Sequence, residues 1–306
     1  MVIRTGMIGL SDGNGHPFSF SAIINGYCDA ALRASGWDVI HRYVSRRDPA
    51  DFGVGDLKVT HAWTQSKEST QALCRATHIE HAVMNPEEMV GEVDALIIAR
   101  DDAESHATLS RPFLEAGIPV FIDKPLTLDW KTLDDFLPYL RDGMLMSCSA
   151  MRYAMELDGV RQRLTDHGEL KLVRGTILND WARYGIHLLE AILALLPSRP
   201  VGVSPLPARH DSLLITLQDG TPVIIDALGK APAVFELELI GDQCISRHSL
   251  LDNFTMFRRM LWAFFSMVRD GGPSIPPEST LDIIHTLIAG KEALDRRREV
   301  AIHAIR

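Results

Sequence analysis

Basic charge is in short supply in this chain. Its 306 residues carry 31 lysines and arginines against 40 aspartates and glutamates, a formal net charge of −9. That balance argues against a nucleic-acid partner, because phosphate binding needs a basic face. Cysteine is scarce as well. Cys28, Cys74, Cys148 and Cys244 lie far apart, with no C-x-x-C pair and no His/Cys ligand spacing. This is the usage of reduced, buried thiols in a cytoplasm, and no metal is expected. Long apolar runs are missing too. The stretch 256–268 is interrupted by Arg258 and Arg259 and is too short to span a bilayer, so no membrane partner is expected. The chain opens directly on a strand-like segment, MVIRTGMIGL, so no signal peptide and a cytoplasmic location are expected. A hydrophobic fraction of 46% with 23% charged residues is ordinary for a globular protein, and the length suggests two domains.

What is present centres on residues 94–129, DALIIARDDAESHATLSRPFLEAGIPVFIDKPLTLD. Two short apolar runs, 95–99 and 119–122, suit parallel strands buried on both faces. The segment between them, 103–117, is long enough for the crossover helix that a parallel pair requires. Each run ends in charge, Arg100-Asp101-Asp102 after the first and Asp123-Lys124-Pro125 after the second. Open α/β sheets bind ligands at the carboxyl ends of their strands, so both ends are expected in one crevice. There Arg100 and Asp101 either contact a ligand or pair with their neighbours.

Upstream, residues 3–9 are predicted as a first strand, followed by the loop Leu10-Ser11-Asp12-Gly13-Asn14-Gly15-His16. Pro17 then opens a predicted helix running to about Ala34. Strand, glycine loop and helix suggest a phosphate site served by backbone amides and the helix dipole. The glycines Gly9, Gly13 and Gly15 are spaced G-x-x-x-G-x-G rather than G-x-G-x-x-G, and a plain turn needing positive φ is the alternative. His16 is expected either to touch a cofactor or to cap the helix. Residues 37–44 are predicted as the second strand, with Ser45, Arg46 and Arg47 at its end. In a dinucleotide-binding fold that end meets the adenosine ribose, where serine and arginine suit a 2′-phosphate. The cofactor expectation is therefore NAD(P) with a slight tilt to NADP, although Asp48 leaves NAD open. A third strand is predicted at 57–63, helices at 67–76 and 130–142, and a sixth-strand segment at 144–151.

Beyond about Met155 the pattern changes. Helices are predicted at 157–166, 181–196, 254–269 and 279–297, and extended segments at 170–178, 213–217, 222–228 and 235–240. Tight turns between the later strands imply a mainly antiparallel sheet. The expected fold class is α/β, a doubly wound parallel sheet followed by an α+β domain with a mainly antiparallel open sheet. Domains are expected at 1–125 and 126–306, with the segment to about 150 bridging and the last helices packing back. The open face of the second sheet needs covering, so a homodimer or homotetramer through that sheet is expected.

AGIPVFIDKPLTLD resembles the AGKHVFVEKP segment of the Gfo/Idh/MocA oxidoreductases, with Asp123 in place of the usual Glu. His106 sits like the histidine that precedes this segment in relatives, MRYAMEL resembles the start of their second domain, and Tyr184-Gly185-Ile186-His187-Leu188-Leu189-Glu190 resembles their D-x-G-x-H-x-x-D helix. Residues 275–278 and the final helix resemble the family's ending, so the resemblance covers nearly the whole chain. It implies a Rossmann domain, a nicotinamide cofactor and hydride transfer to or from a sugar or sugar derivative, possibly nucleotide-linked. Oxidising an alcohol needs a base for the hydroxyl proton. Lys124 and His187 are the positions the resemblance carries over, and histidine as a residue type suits proton transfer near neutrality. The family's carboxylate four residues before the histidine is Arg183 here. On a helix starting near Asp180, Asp180, Tyr184 and His187 would share a face, so Tyr184 is a candidate for the missing group and Asp180 either an orienter or an N-cap. Arg152, Tyr153, Asp180 and Arg183 are candidate substrate contacts. The alternatives are a non-catalytic ligand-binding or regulatory protein on the same fold, and a redox-assisted lyase or hydrolase holding NAD tightly.

Overall fold

The computed structural model describes residues 2–302. The described residues fall into two compact units. The first comprises residues 2–127, 131–148 and 257–277; the second comprises residues 128–130, 149–256 and 278–302.

The first unit is built on a six-stranded sheet. Its strands are β1 (Ile3–Ile8), β2 (Leu57–Trp63), β3 (His81–Ala82), β4 (Ala95–Ile98), β5 (Val120–Asp123) and β6 (Leu145–Cys148). Their order is β3-β2-β1-β4-β5-β6 and every pairing is parallel. This is the doubly wound Rossmann order, whose switch point lies between β1 and β4. Strands β4, β5 and β6 are buried at every residue, as strands covered on both faces must be. The helices are α1 (His16–Asn25), α2 (Asp29–Ala34), α3 (Asp38–Val44), α4 (Lys67–Ala76), α5 (Ala103–Glu115) and α6 (Trp130–Arg141). Ser66 caps α4 by accepting from Ser69 N at 3.0 Å.

Two expectations fail here. The helix opened by Pro17 stops at Asn25, because Gly26 takes φ +79° and the chain restarts as α2. Residues 37–44 are not the second strand. Ile40 and Val44 are buried one turn apart, Trp37 is half-buried, and Val39 is 63% exposed. That spacing is one face of a helix, with Asp38 in its first turn favouring the dipole. The strand beside β1 is Leu57–Trp63.

The second unit carries α7 (Asp158–Gln162), β7 (Leu170–Ile177), α8 (Ile186–Leu193), β8 (Pro200–Pro205), β9 (Asp211–Leu217), β10 (Pro222–Ala227), β11 (Phe235–Gly241), β12 (Ile245–Ser249) and β13 (Val300–Ala301). Helix α9 (Asn253–Asp270), whose residues from Phe257 onward belong to the first unit, and helix α10 (Pro277–Arg296) each begin within a residue or two of the expected start. The seven strands run in the order β12-β11-β7-β10-β9-β8-β13, antiparallel except for β7 beside β10. Val173, Gly175 and Ile177 of β7 are buried, and a Cβ on Gly175 would meet Leu188 of α8 at 2.8 Å, so α8 covers that face. The opposite face holds Leu172, Leu214, Ile224 and Ile240 half-buried around the Arg174–Asp226 ion pair. No described helix is long and apolar enough to cross a membrane. Cys74 and Cys148 are buried as expected, whereas Cys28 is half-buried and Cys244 is exposed.

Candidate functional site

In the first unit the carboxyl ends of β1, β4 and β5 bring a polar cluster together. Asp123, 2% exposed, is its hub. One carboxylate oxygen meets His16 Nδ1 at 2.5 Å and accepts from Asn14 Nδ2 at 3.2 Å; the other accepts from the Lys124 amide at 3.0 Å. Burial alone would raise the Asp123 pKa, but the charge and hydrogen bond of His16, the Lys124 ammonium and Asn14 outweigh it and bring it down to about 2. The His16 ring is stacked on Phe20 and meets Phe257 edge-on, both with centroids at 5.0 Å. A carboxylate at this strand end therefore stays ionised while its imidazole partner is gripped by aromatic rings.

Lys124 follows with its side chain 7% exposed and Nζ 3.8 Å from Asp101 Oδ2. That is longer than the roughly 2.8 Å of a charge-assisted hydrogen bond, so Asp101 orients the ammonium without sequestering it. Asp101 in turn accepts from the Ser11 hydroxyl, and its own amide donates back to Ser11 Oγ at 3.1 Å. The glycine loop and the end of β4 are thus tied to each other. Arg100 instead pairs with Asp102, Nε to Oδ1 at 2.8 Å, and with Ser105 at the start of α5. His106 is fully buried, its two ring nitrogens 3.0 Å from the carbonyls of Leu126 and Arg100. Burial pushes its pKa down. It braces the loop after β4 against the segment after Lys124-Pro125, and the structure gives it that task rather than an open face.

The three loop glycines do different things. A Cβ on Gly9 would strike Pro17 at 2.2 Å, and one on Gly15 would strike Trp37 at 2.5 Å, so both are required by packing. Gly13 has φ +74° and no atom within 4 Å of a Cβ position, leaving bare backbone facing open space. The amide of His16 is already taken by Asn14 Oδ1 at 2.8 Å. Gln65, after β2, receives the Leu10 amide at 2.8 Å and donates back to the Leu10 carbonyl, closing the loop from the other side.

Ser45, Arg46 and Arg47 are not in this cluster, and the tilt to NADP that rested on them is corrected. They follow α3, a helix. Arg47 lines a cavity of about 580 Å³ with Ile24, Gly26, Tyr27 and Phe52, at the carboxyl end of α1. The cluster lies at the amino end of that helix. The residues that do follow β2 are Thr64, Gln65 and Ser66, with neither a carboxylate nor a guanidinium among them.

The second unit holds a separate cluster on α8 and the turn before it. Residues Trp181–Gly185 form a π-helical turn where a regular helix was expected. Trp181 explains it. The indole is 1% exposed, fills the space beside Gly185 and Gly290, and donates to the Leu287 carbonyl at 2.9 Å. The wider turn displaces the i, i+4, i+7 face expected from Asp180. Asp180 is exposed and caps the turn, accepting from the Arg183 amide at 3.0 Å. Arg183 is exposed as well. Tyr184 and His187 do meet, edge-on with centroids at 5.2 Å. His187 Nδ1 lies 2.6 Å from Ser149 Oγ. Arg152 is turned to internal partners, Glu190 Oε2 at 2.9 Å and Ser279 Oγ at 2.5 Å, rather than presented to a substrate. Tyr153 is half-buried in the adjoining 3₁₀ turn, Ala150–Tyr153. Glu190, 2% exposed, has its pKa pushed up to about 7 by burial, with Arg152 and the Ser149 amide pulling the other way.

Ser149, Glu190, Gln65 and Phe257 were not among the expected site residues. One of them had a signal: Glu190 is a lone carboxylate in an otherwise apolar helix, whereas Ser149 fell inside the segment 144–151 predicted as a strand, which ends at Cys148. Among the described residues no group of three or more His, Cys, Asp or Glu side chains is placed to hold a metal ion.

The sheet order, with the loop after β1 and the charged ends of β4 and β5 at the carboxyl edge, is that of a doubly wound Rossmann fold. Residues 38–143 match the family model described as oxidoreductase family, NAD-binding Rossmann fold. Over that segment the chain is similar to the Gfo/Idh/MocA family. Among solved structures it is similar to a myo-inositol 2-dehydrogenase from Lactobacillus plantarum, at 15% identity and TM-score 0.77, covering 99% of this chain and 100% of the other. It is also similar to a scyllo-inositol dehydrogenase from Lactobacillus casei with bound NAD(H) and scyllo-inositol, at 16% identity and TM-score 0.76, covering 99% and 100%. A myo-inositol dehydrogenase from Corynebacterium glutamicum gives 17% identity and TM-score 0.73 with full coverage of both chains. No curated protein sequence matches the chain.

Proposed function

We propose that this protein is an NAD-dependent dehydrogenase acting on a secondary alcohol of a sugar or polyol, with Lys124 and His187 as its catalytic residues. The observation that carries the reading is the Ser11–Asp101–Lys124–Asp123–His16 cluster at the strand ends of a Rossmann sheet. Bare backbone at Gly13 suits a diphosphate, and Asp101 and Lys124 suit ribose or substrate hydroxyls. Bound there, the dinucleotide would supply a hydride acceptor. Lys124 would hold a reacting hydroxyl through its ammonium donors, and His187 is put forward for proton transfer on the chemistry of its imidazole. Thr64, Gln65 and Ser66 directly after β2 include neither guanidinium nor carboxylate, so the reading names NAD through the neighbour that binds it and no longer leans to NADP. The inositol dehydrogenase neighbours make cyclic polyols the first compounds to try.

Absorbance at 340 nm with NAD and a panel of inositols, hexoses, sugar acids and nucleotide sugars tests this. NADH production with at least one polyol or sugar is expected. A silent panel together with product formed at constant absorbance would point instead to redox-neutral lyase or hydrolase chemistry.

A further inference from the structure

Ser149 directly follows β6 and is 1% exposed. Its Oγ lies 2.6 Å from His187 Nδ1 and accepts from the Met151 amide at 3.3 Å. A hydroxyl oxygen that already accepts an amide proton has its own proton to give, and Nδ1 is the acceptor at hand. The serine is itself anchored. Its amide donates to Glu190 Oε1 at 3.3 Å, and Glu190 is held through its other oxygen by Arg152, which donates onward to Ser279. His187 and Glu190 are one helical turn apart on α8, so a single turn carries both the ring and the carboxylate that secures the ring's partner. The imidazole also packs edge-on with the Tyr184 ring.

We propose that Ser149 is the positioning residue of His187: its hydroxyl fixes the imidazole's orientation and, by donating to Nδ1, keeps the neutral ring's proton on Nε2. This rests on the catalytic role proposed above for His187. A serine hydroxyl is suited to the task because it donates as well as accepts. It donates to the bare nitrogen and accepts from Nδ1 once that nitrogen is protonated, so the ring changes protonation state without losing its anchor. A carboxylate in the same place would only accept, and would hold the proton on Nδ1. The Glu190–Arg152–Ser279 chain keeps Ser149 at hydrogen-bonding distance whichever way its proton points.

The test is ¹⁵N imidazole spectroscopy of the full-length protein, with the His187 signals identified by their loss in His187→Gln. In the wild type the neutral ring is expected chiefly as the Nε2–H tautomer. Ser149→Ala is expected to move the signals towards a mixture of tautomers and to lower kcat roughly tenfold to a hundredfold with KM little changed. Ser149→Thr, which keeps the hydroxyl, is expected to retain the wild-type signals and most of kcat. Unchanged His187 signals in Ser149→Ala would overturn the inference, as would Ala-like signals in Ser149→Thr. The spectra need no turnover, so a wild-type protein without dehydrogenase activity would refute the function while leaving this inference to be decided by the tautomer alone.

Discussion

Replacing Asp123 by asparagine removes the hub of the strand-end cluster without changing its shape. Three donors converge on the carboxylate, from His16, Asn14 and the Lys124 amide. An amide has one oxygen to offer them, so its NH₂ must face a donor. A buried donor left without an acceptor costs about 1–3 kcal/mol. The electrostatic part follows from linkage. A carboxylate at its ordinary 3.8 when unfolded and at about 2 when folded contributes ~2.5 kcal/mol of stability. Because the folded value is the depressed one, that contribution is fully present above about pH 4 and is lost as pH falls towards 2. The two estimates overlap, so Asp123→Asn is expected to lower the unfolding free energy at pH 7 by about 2–4 kcal/mol. The deficit should narrow as the pH is taken from 4 to 2. Urea denaturation followed by circular dichroism across that range measures both. A variant within about 0.5 kcal/mol of wild type at pH 7, the range of an ordinary surface change, would refute the hub assignment. So would a deficit that acid leaves untouched.

Three further outcomes are expected. Lys124→Ala should reduce kcat/KM by about a thousandfold or more with an unchanged circular dichroism spectrum, and retained turnover would remove Lys124 from the reaction. Arg46→Ala and Arg47→Ala should each leave NAD and NADP affinity within about twofold of wild type in calorimetry, since neither lies at the end of β2; a loss of about tenfold, ~1.4 kcal/mol, for NADP alone would restore the 2′-phosphate role. The half-buried Leu172, Leu214, Ile224 and Ile240 on the open sheet face lead us to propose a homodimer or larger assembly through that face. Sedimentation should then give at least twice the chain mass, and Ile224→Arg should shift it towards the monomer.

How far the sequence could be read depended on how local the deciding interactions were. Strands β4 and β5 were legible because strands buried on both faces need continuous apolar runs, and ALII and VFID are such runs closed by charge. The helix α4 was legible to the residue, with a serine cap and Leu73 and Cys74 on the buried side. The segment DVIHRYV was not, because its β-branched residues suit a strand while Trp37, Ile40 and Val44 recur at helical spacing. That one misassignment moved Ser45–Arg47 from the opposite end of α1 to the supposed ribose site. Strand β8 went unseen between two prolines, and β12 has the polar sequence ISRHS. In the two clusters, Lys124 and Asp123 of the first unit and His187 of the second stood out by position and residue type. The partners did not, since His16 with Phe257, and Ser149 with His187, are joined by tertiary contacts 241 and 38 residues apart in the numbering. The π turn at Trp181 likewise depends on Gly290, more than a hundred residues away.

The central claim is that the strand-end cluster of the first unit receives a nicotinamide dinucleotide. Calorimetric titration of the full chain with NAD, and separately with NADP, addresses it most directly, with Gly13→Val as the control that fills the open backbone of the loop. The account predicts saturable binding of NAD at one site per chain, lost in Gly13→Val. Binding of neither dinucleotide by the wild-type protein would contradict it.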